Sequence, residues 1–319
     1  MEIMPSSTSV SERQTIRVRL DRFTIVLLCT IVVVLVFLEF VSRERFDSSS
    51  KVEQRELSER AGVLAIRDSA ESSDPHIVLL GNSLMLEGVE IPLLKAKIAS
   101  GYAPTTYFVL GTNYYDWFYG LKRLFAEGMR PRYIVLGLSP NQLATSEIRG
   151  DITAHYLIQQ SDLFDLARHS HMDATRACEF ALAHYSEFYS IREVFRGYVM
   201  SRVFPSVADL LQNRYASFRE PEVNDSEFKP LAAGRLAALD RLCKMYGALF
   251  LFVVPPTYQK GEELIVEAGR EDGVTVLLPV KRNEFDQSYY QKDGFHMNQK
   301  GAEIFTERVA AELNKDLPQ

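Results

Sequence analysis

Five short apolar runs, rich in β-branched residues, constrain this chain more than anything else in it: HIVLL at 76–80, TYFVL at 106–110, YIVLGL at 133–138, ALFLFVV at 248–254 and VTVLL at 274–278. Runs of this length, apolar at nearly every position, suit strands covered on both faces, as in a parallel sheet. Between them apolar residues recur at helical spacing, at 91–98, 117–125, 231–246, 262–268 and 301–313. Strand and helix therefore alternate, which predicts an α/β three-layer sandwich on a mostly parallel five-stranded sheet. The alternation breaks between the third and fourth runs. There, residues 150–225 are rich in helix formers without a long Gly/Pro interruption, and read as a helical insertion. At the strand-end face such an insertion would be a lid or acceptor-binding wall, or else a structural cap.

Residues 23–41, FTIVLLCTIVVVLVFLEFV, carry Glu39 as their only charge and approach the ~20 apolar residues that a spanning helix needs. The sequence LEFVSRERF, which closes this run and continues past it, lacks the small-residue pattern of a cleavage site, so the run is expected to be an uncleaved signal anchor. Arg13, Arg17, Arg19 and Arg22 precede it and Arg43, Arg45, Lys51 and Arg55 come after it, so the basic-residue count does not choose an orientation. A short basic tail ahead of the first apolar helix nonetheless resembles a signal anchor that exports its C-terminal domain. The expectation is a single-pass membrane protein with a cytoplasmic tail at 1–22, a transmembrane helix at 23–41, a polar stalk at 42–60 and an extracytoplasmic domain at 61–319.

A formal net charge of -6 speaks against nucleic acid as a partner, since neutralising phosphates requires a concentrated Lys/Arg surface. The three cysteines, Cys29, Cys178 and Cys243, form no zinc-like spacing. With Cys29 in the apolar run, only Cys178 and Cys243 could pair. Neither G-x-G-x-x-G nor G-x-x-x-x-G-K-[ST] occurs, so no nucleotide cofactor is expected, nor any metal. His169 and His171, two apart in a helical stretch, point to different faces. The run Tyr114, Tyr115, Trp117, Phe118 and Tyr119 opens a helix and reads as core, with stacking on a sugar as the alternative.

Two segments carry chemistry. The first strand runs into Gly81-Asn82-Ser83, which puts a hydroxyl in the first βα turn at the carboxyl edge of the sheet. Met85 stands where a G-x-S-x-G elbow would need its second glycine. Near the C-terminus, Asp293-Gly294-Phe295-His296-Met297-Asn298 precedes the last helix. A nucleophilic serine needs a base, and the base needs an acceptor on its far nitrogen; Asp and His three residues apart in one loop meet both needs.

Together, G-N-S after strand one and D-G-F-H-x-N-x-x-G before the last helix resemble the first and last blocks of the SGNH (GDSL-like) hydrolases. That resemblance implies a flavodoxin-like sheet and acyl-ester chemistry with Ser83 as nucleophile, His296 as base and Asp293 as its orienting acid. Oxyanion donors would be the Ser83 amide, Gly111 or Asn113 after strand two, and Asn141 after strand three. The middle blocks depart from the family, with Gly111-Thr112-Asn113-Tyr114 in place of a more glycine-rich loop and Gly137-Leu138-Ser139-Pro140-Asn141 in place of G-x-N-D. An anchored member with one N-terminal helix is similar to those that acylate exported polysaccharide beside a multi-span acyl donor protein. The expectation is an esterase or O-acyltransferase acting on acyl, by preference acetyl, esters of a glycan. The alternative is a non-catalytic SGNH-shaped subunit that binds a polymer or scaffolds a cell-envelope complex.

Overall fold

The computed structural model describes residues 21–49, 51–69, 72–203 and 225–317. All five expected strands are present: β1 (His76–Gly81), β2 (Ala103–Phe108), β3 (Tyr133–Gly137), β4 (Leu249–Val253) and β5 (Thr275–Leu277). Every pairing is parallel, in the order β2-β1-β3-β4-β5. This is the flavodoxin-like order, whose chain reverses its direction of travel between β1 and β3. Alternate residues feed two cores. Val78 and Leu80, Ile134 and Leu136, Phe250 and Phe252 face one; Ile77 and Leu79, Val135, Leu251 and Val253 face the other. Both faces of the central strands are therefore dry, which explains why they read as continuous apolar runs.

The first core is covered by α5 (Tyr114–Ala126), α12 (Asp225–Met245) and α13 (Glu262–Asp272). The second is covered by α3 (Ser83–Gly88), α4 (Ile91–Lys97) and α14 (Gln299–Asp316). Of the aromatic run, Tyr114, Trp117 and Tyr119 are buried core, and Arg235 lies over the rings of Tyr114 and Tyr115.

Of the helical insertion expected at 150–225, the described part carries α7 (Asp151–Tyr156), α8 (Leu163–His169), α9 (Ala174–Tyr185), α10 (Glu187–Ser190) and α11 (Arg192–Val203), and the short α6 (Pro140–Ala144) precedes it after β3. The rest of that interval, up to 224, lies outside the described residues. Leu157, Leu166, Phe180 and Ala183 bring the insertion into the first core, and Arg123 of α5 donates to the carbonyls of His155 (2.6 Å) and Ile158 (3.0 Å). His169, at the end of α8, meets the Tyr119 hydroxyl (3.0 Å). Cys29, Cys178 and Cys243 are all free, with Cys243 buried and Cys178 exposed.

The segment expected as a stalk is different. α1 (Arg22–Ser49) continues well past the apolar run, and α2 (Lys51–Leu64) comes directly after it. α2 lies along the outer edge of β2, where its side chains take up backbone groups that no strand pairs. Glu59 accepts from the Phe108 amide (2.7 Å), Arg55 donates to the Phe108 carbonyl (2.9 Å), and Glu56 accepts from the Leu110 amide (3.1 Å). An uncovered edge would template pairing with another chain, and this helix closes it. The polar sequence of α2 thus serves the sheet edge, and its residues 51–60 fall in the 42–60 stretch expected as a stalk.

Candidate active site

β1 ends at Gly81, directly opposite Gly137 at the end of β3. A side chain at either position would collide with Met85, which fills the space between the two strand ends from α3. The two glycines therefore let α3 sit close on the sheet, with Ser83 as its first residue. Asn82 caps this helix, its Oδ1 accepting from the Leu84 amide (3.0 Å). The same buried side chain donates from Nδ2 to the Thr112 carbonyl (2.9 Å). Asn82 thereby ties the turn after β1 to the turn after β2. The second turn is braced by Thr112, whose hydroxyl donates to the Val109 carbonyl (2.7 Å) and accepts from the Trp117 indole (2.9 Å).

The loop before α14 is built to hold His296. Tyr290 and Met297 form an antiparallel bridge, and the Gln291 amide donates to the His296 carbonyl (2.8 Å). Between these two arms the chain turns at Gly294, whose φ of 69° is left-handed. Asn298 does double service: its Oδ1 caps α14 at the Gly301 amide (3.1 Å), and its Nδ2 donates to the carbonyls of Ser288 (2.7 Å) and Tyr290 (3.1 Å). Gly301 is required because a Cβ there would run into the Tyr289 carbonyl oxygen. Buried Met297 packs beneath the loop in the second core. Gly301→Ala is expected to cost about 1–3 kcal/mol of stability by overpacking. Ester turnover should also fall, because the displaced loop carries His296; urea denaturation alongside rate measurements checks both.

These two loops bring the three expected catalytic residues into one array. His296 Nε2 lies 2.9 Å from Ser83 Oγ, and His296 Nδ1 lies 2.7 Å from Asp293 Oδ2. With its Nδ1–H given to the carboxylate, the imidazole presents a lone pair at Nε2 to the serine hydroxyl. Asp293 is fixed in turn, its Oδ1 accepting from the amides of Phe295 (2.9 Å) and His296 (3.0 Å). Partial burial raises its pKa, but the hydrogen bonds from the His296 ring and from those two amides outweigh burial and hold the carboxyl below the usual carboxylate range.

The oxyanion donors divide. The Ser83 amide sits at the first position of α3, where an N–H has no acceptor within its own helix. Gly111 stands in the left-handed region (φ 71°), and its amide has no hydrogen bond among the described residues. Asn113 is a correction: its amide donates to Asp116 Oδ2 (2.9 Å) in the cap of α5, and its Nδ2 to the Glu147 carbonyl (3.3 Å). Of the two, the Gly111 amide is the one that stays open among the described residues. Asn141 lies in the first turn of α6, at the carboxyl end of β3 beside β1, with its amide near Gln259 Oε1 (3.4 Å).

Sequence reading passed over four residues that shape the site. Besides Asn82 and Thr112, Glu56 holds the Leu110 amide one residue before Gly111 and pairs with Arg149 (3.6 Å). Asp116, fully buried, accepts from the amides of Asn113 and Arg149 (3.2 Å). Burial pushes its carboxyl up to about 6, against the opposing hydrogen bonds from Asn113, Thr153 and Arg149. Asp116 thus joins the loop after β2 to the start of the insertion.

The site therefore lies at the switch point between β1 and β3, where open α/β sheets place their ligands. Sheet order and serine–histidine–aspartate placement are those that the resemblance to SGNH hydrolases implies. Among solved structures the chain is similar to a psychrotrophic esterase, EstA, from Pseudoalteromonas sp., in a structure inhibited by monoethylphosphonate. Identity is 12% and the TM-score 0.39, over 76% of this chain and 98% of that one. It is also similar to TesA, at 13% identity and a TM-score of 0.40, over 76% of this chain and 99% of that one. No family model matches the sequence, and no curated protein matches it.

Proposed function

We propose that this chain is a membrane-anchored serine ester hydrolase or O-acyltransferase that works through an acyl-Ser83 intermediate outside the cytoplasm. The observation that carries the proposal is the unbroken hydrogen-bonded line from Ser83 Oγ through His296 to Asp293. In this reading His296 removes the hydroxyl proton as Ser83 attacks the acyl carbonyl, and Asp293 stabilises the imidazolium that forms. The amides of Ser83 and Gly111, with Asn141, hold the oxyanion. The proton returns from His296 to the leaving oxygen, and a second hydroxyl or water then enters by the same route in reverse.

The anchor reading rests on α1, whose stretch Arg22–Glu44 is long and apolar enough to cross a membrane, with an apolar window that the rest of the chain leaves uncovered. The half-exposed triad leaves room for a bulky ester, and we assign acetyl groups on an exported or surface polysaccharide as substrate, with a multi-span membrane protein as acyl donor in the transfer case. The first test is a fluorophosphonate probe on the full chain in detergent: stoichiometric labelling of Ser83 is expected, and an unreactive serine would favour a non-catalytic binding subunit. The second supplies an acetyl donor with an oligosaccharide. Acetylated sugar marks a transferase, and acetate alone marks a hydrolase.

A further inference from the structure

Glu39 is the one charge in the apolar run, and its carboxylate faces the insertion. It accepts from the Ser186 hydroxyl (2.7 Å), the Glu187 amide (3.1 Å) and the Phe188 amide (3.2 Å), and it pairs with Arg43 (2.9 Å). These bonds cap the first turn of α10 and place residues 186–188 level with position 39 of α1. On the other sides of α1 the apolar surface continues through that level: Phe37, just before it, and Phe40, just after it, are each 62% exposed. A span that still shows Phe40 outward is still facing lipid there, so α10 and the end of α9 meet the membrane boundary.

The outward face of α9 fits that placement. Ala174, Cys178, Leu182 and Tyr185, spaced by four, four and three residues, form one exposed stripe, with Leu182 and Tyr185 more than half exposed. The opposite side buries Phe180 and Ala183. A helix that lay in water would show polar residues on its outer stripe, whereas this one is apolar on both sides. The stripe ends in a tyrosine one residue before the Glu39-bound Ser186, and tyrosine is enriched where hydrocarbon meets headgroups. Phe195 of α11 is exposed as well.

We propose that the outer stripe of α9 lies in the headgroup–acyl boundary of the phospholipid bilayer crossed by α1. The domain is then held at a fixed height and tilt, rather than swinging on a tether, and the candidate active site would address a substrate at constant distance from the membrane. This inference rests on the membrane-anchor reading given above.

The test uses the full chain in liposomes of phosphatidylcholine and phosphatidylglycerol, with an environment-sensitive fluorophore on single cysteines. Native Cys29, with Cys178 as serine, reports the span; Leu182→Cys and Tyr185→Cys, made with Cys29 and Cys178 as serine, report the stripe; and Met245→Cys, in the same background, reports an exposed site on α12. Buried Cys243 stays unlabelled. An apolar face of this kind sinks roughly 5–10 Å into the boundary, so labels at 182 and 185 are expected to be quenched by lipids brominated near the carbonyl and less by those brominated deeper. The label at 245 should not be quenched, and that at Cys29 should be quenched most by the deep bromines. Quenching at Cys29 but none at 182 and 185 overturns the inference and leaves the anchor standing. A blue-shifted label without lipid quenching likewise overturns it, in favour of a protein partner on the stripe. No quenching at Cys29 overturns the anchor itself.

Discussion

Replacing Ser83 with alanine is expected to lower kcat for p-nitrophenyl acetate by on the order of 10⁶, and His296→Ala by a comparable factor, with the double variant no worse than either alone. The non-additivity comes from the geometry. Ser83 Oγ and His296 Nε2 share one hydrogen bond, and neither group can perform its half of the proton transfer without the other. Protein stability should barely change with Ser83→Ala, because the helix start is held by the Asn82 cap rather than by the serine hydroxyl. Steady-state kinetics on the full chain in detergent, paired with thermal melts, read both quantities. Two single variants that each retain wild-type turnover would remove Ser83 and His296 from the chemistry and favour the non-catalytic binding subunit.

How much of this was legible in the sequence depended on how far apart in the chain the interacting groups lie. The D-G-F-H-x-N-x-x-G segment was readable because its parts act on one another locally. Asp293 orients His296 three residues on, Gly294 makes the turn, Asn298 caps α14 at Gly301, and Gly301 admits the Tyr289 carbonyl. The five strands were readable for a similar reason, since burial on both faces leaves its mark on each strand separately.

The donor loop was not readable to the same depth. Gly111 and Asn113 looked equivalent, and what separates them is Asp116, which captures the Asn113 amide. That capture is written as an ordinary helix cap. Asn82 presents a related case: it is visible in the motif, but its bond to the Thr112 carbonyl, 30 residues away, has no local signature. The stretch 42–60, expected as a stalk, misled through its charge where it enters α2. Carboxylates that accept from the backbone of an edge strand, as Glu56 and Glu59 do, have the same composition as carboxylates bathed in water. A charge run distinguishes polar from apolar surroundings but does not say whether the polar partner is water or an amide. Glu39 shows the converse, since a lone acid in an apolar run reads as a flaw in the span until its three donors on the insertion are seen.

Asp293→Asn is expected to lower kcat by about 10⁴ with little effect on KM, by analogy with the same change in a serine–histidine–aspartate array, where the amide favours the wrong imidazole tautomer. An asparagine at 293 can turn its Nδ2 toward His296 Nδ1, which puts the ring proton on Nε2 and leaves nothing to accept the Ser83 proton. Asp293→Ala removes that competition along with the carboxylate, so it should be no worse than Asp293→Asn despite losing more contacts. The pH profile supplies a second arm. The carboxyl of Asp293 sits below the usual carboxylate range once the His296 and amide hydrogen bonds have outweighed its partial burial. A lowered folded pKa means that the aspartate stays ionised until pH has fallen beneath that range, so its contribution is lost only there. Between pH 5 and pH 8 the aspartate should therefore add no proton of its own to the acid limb of kcat/KM in the wild type. A limb that needs two protons across that window, or an Asp293→Asn variant with wild-type kcat, would show that the aspartate does not set the tautomer of this histidine.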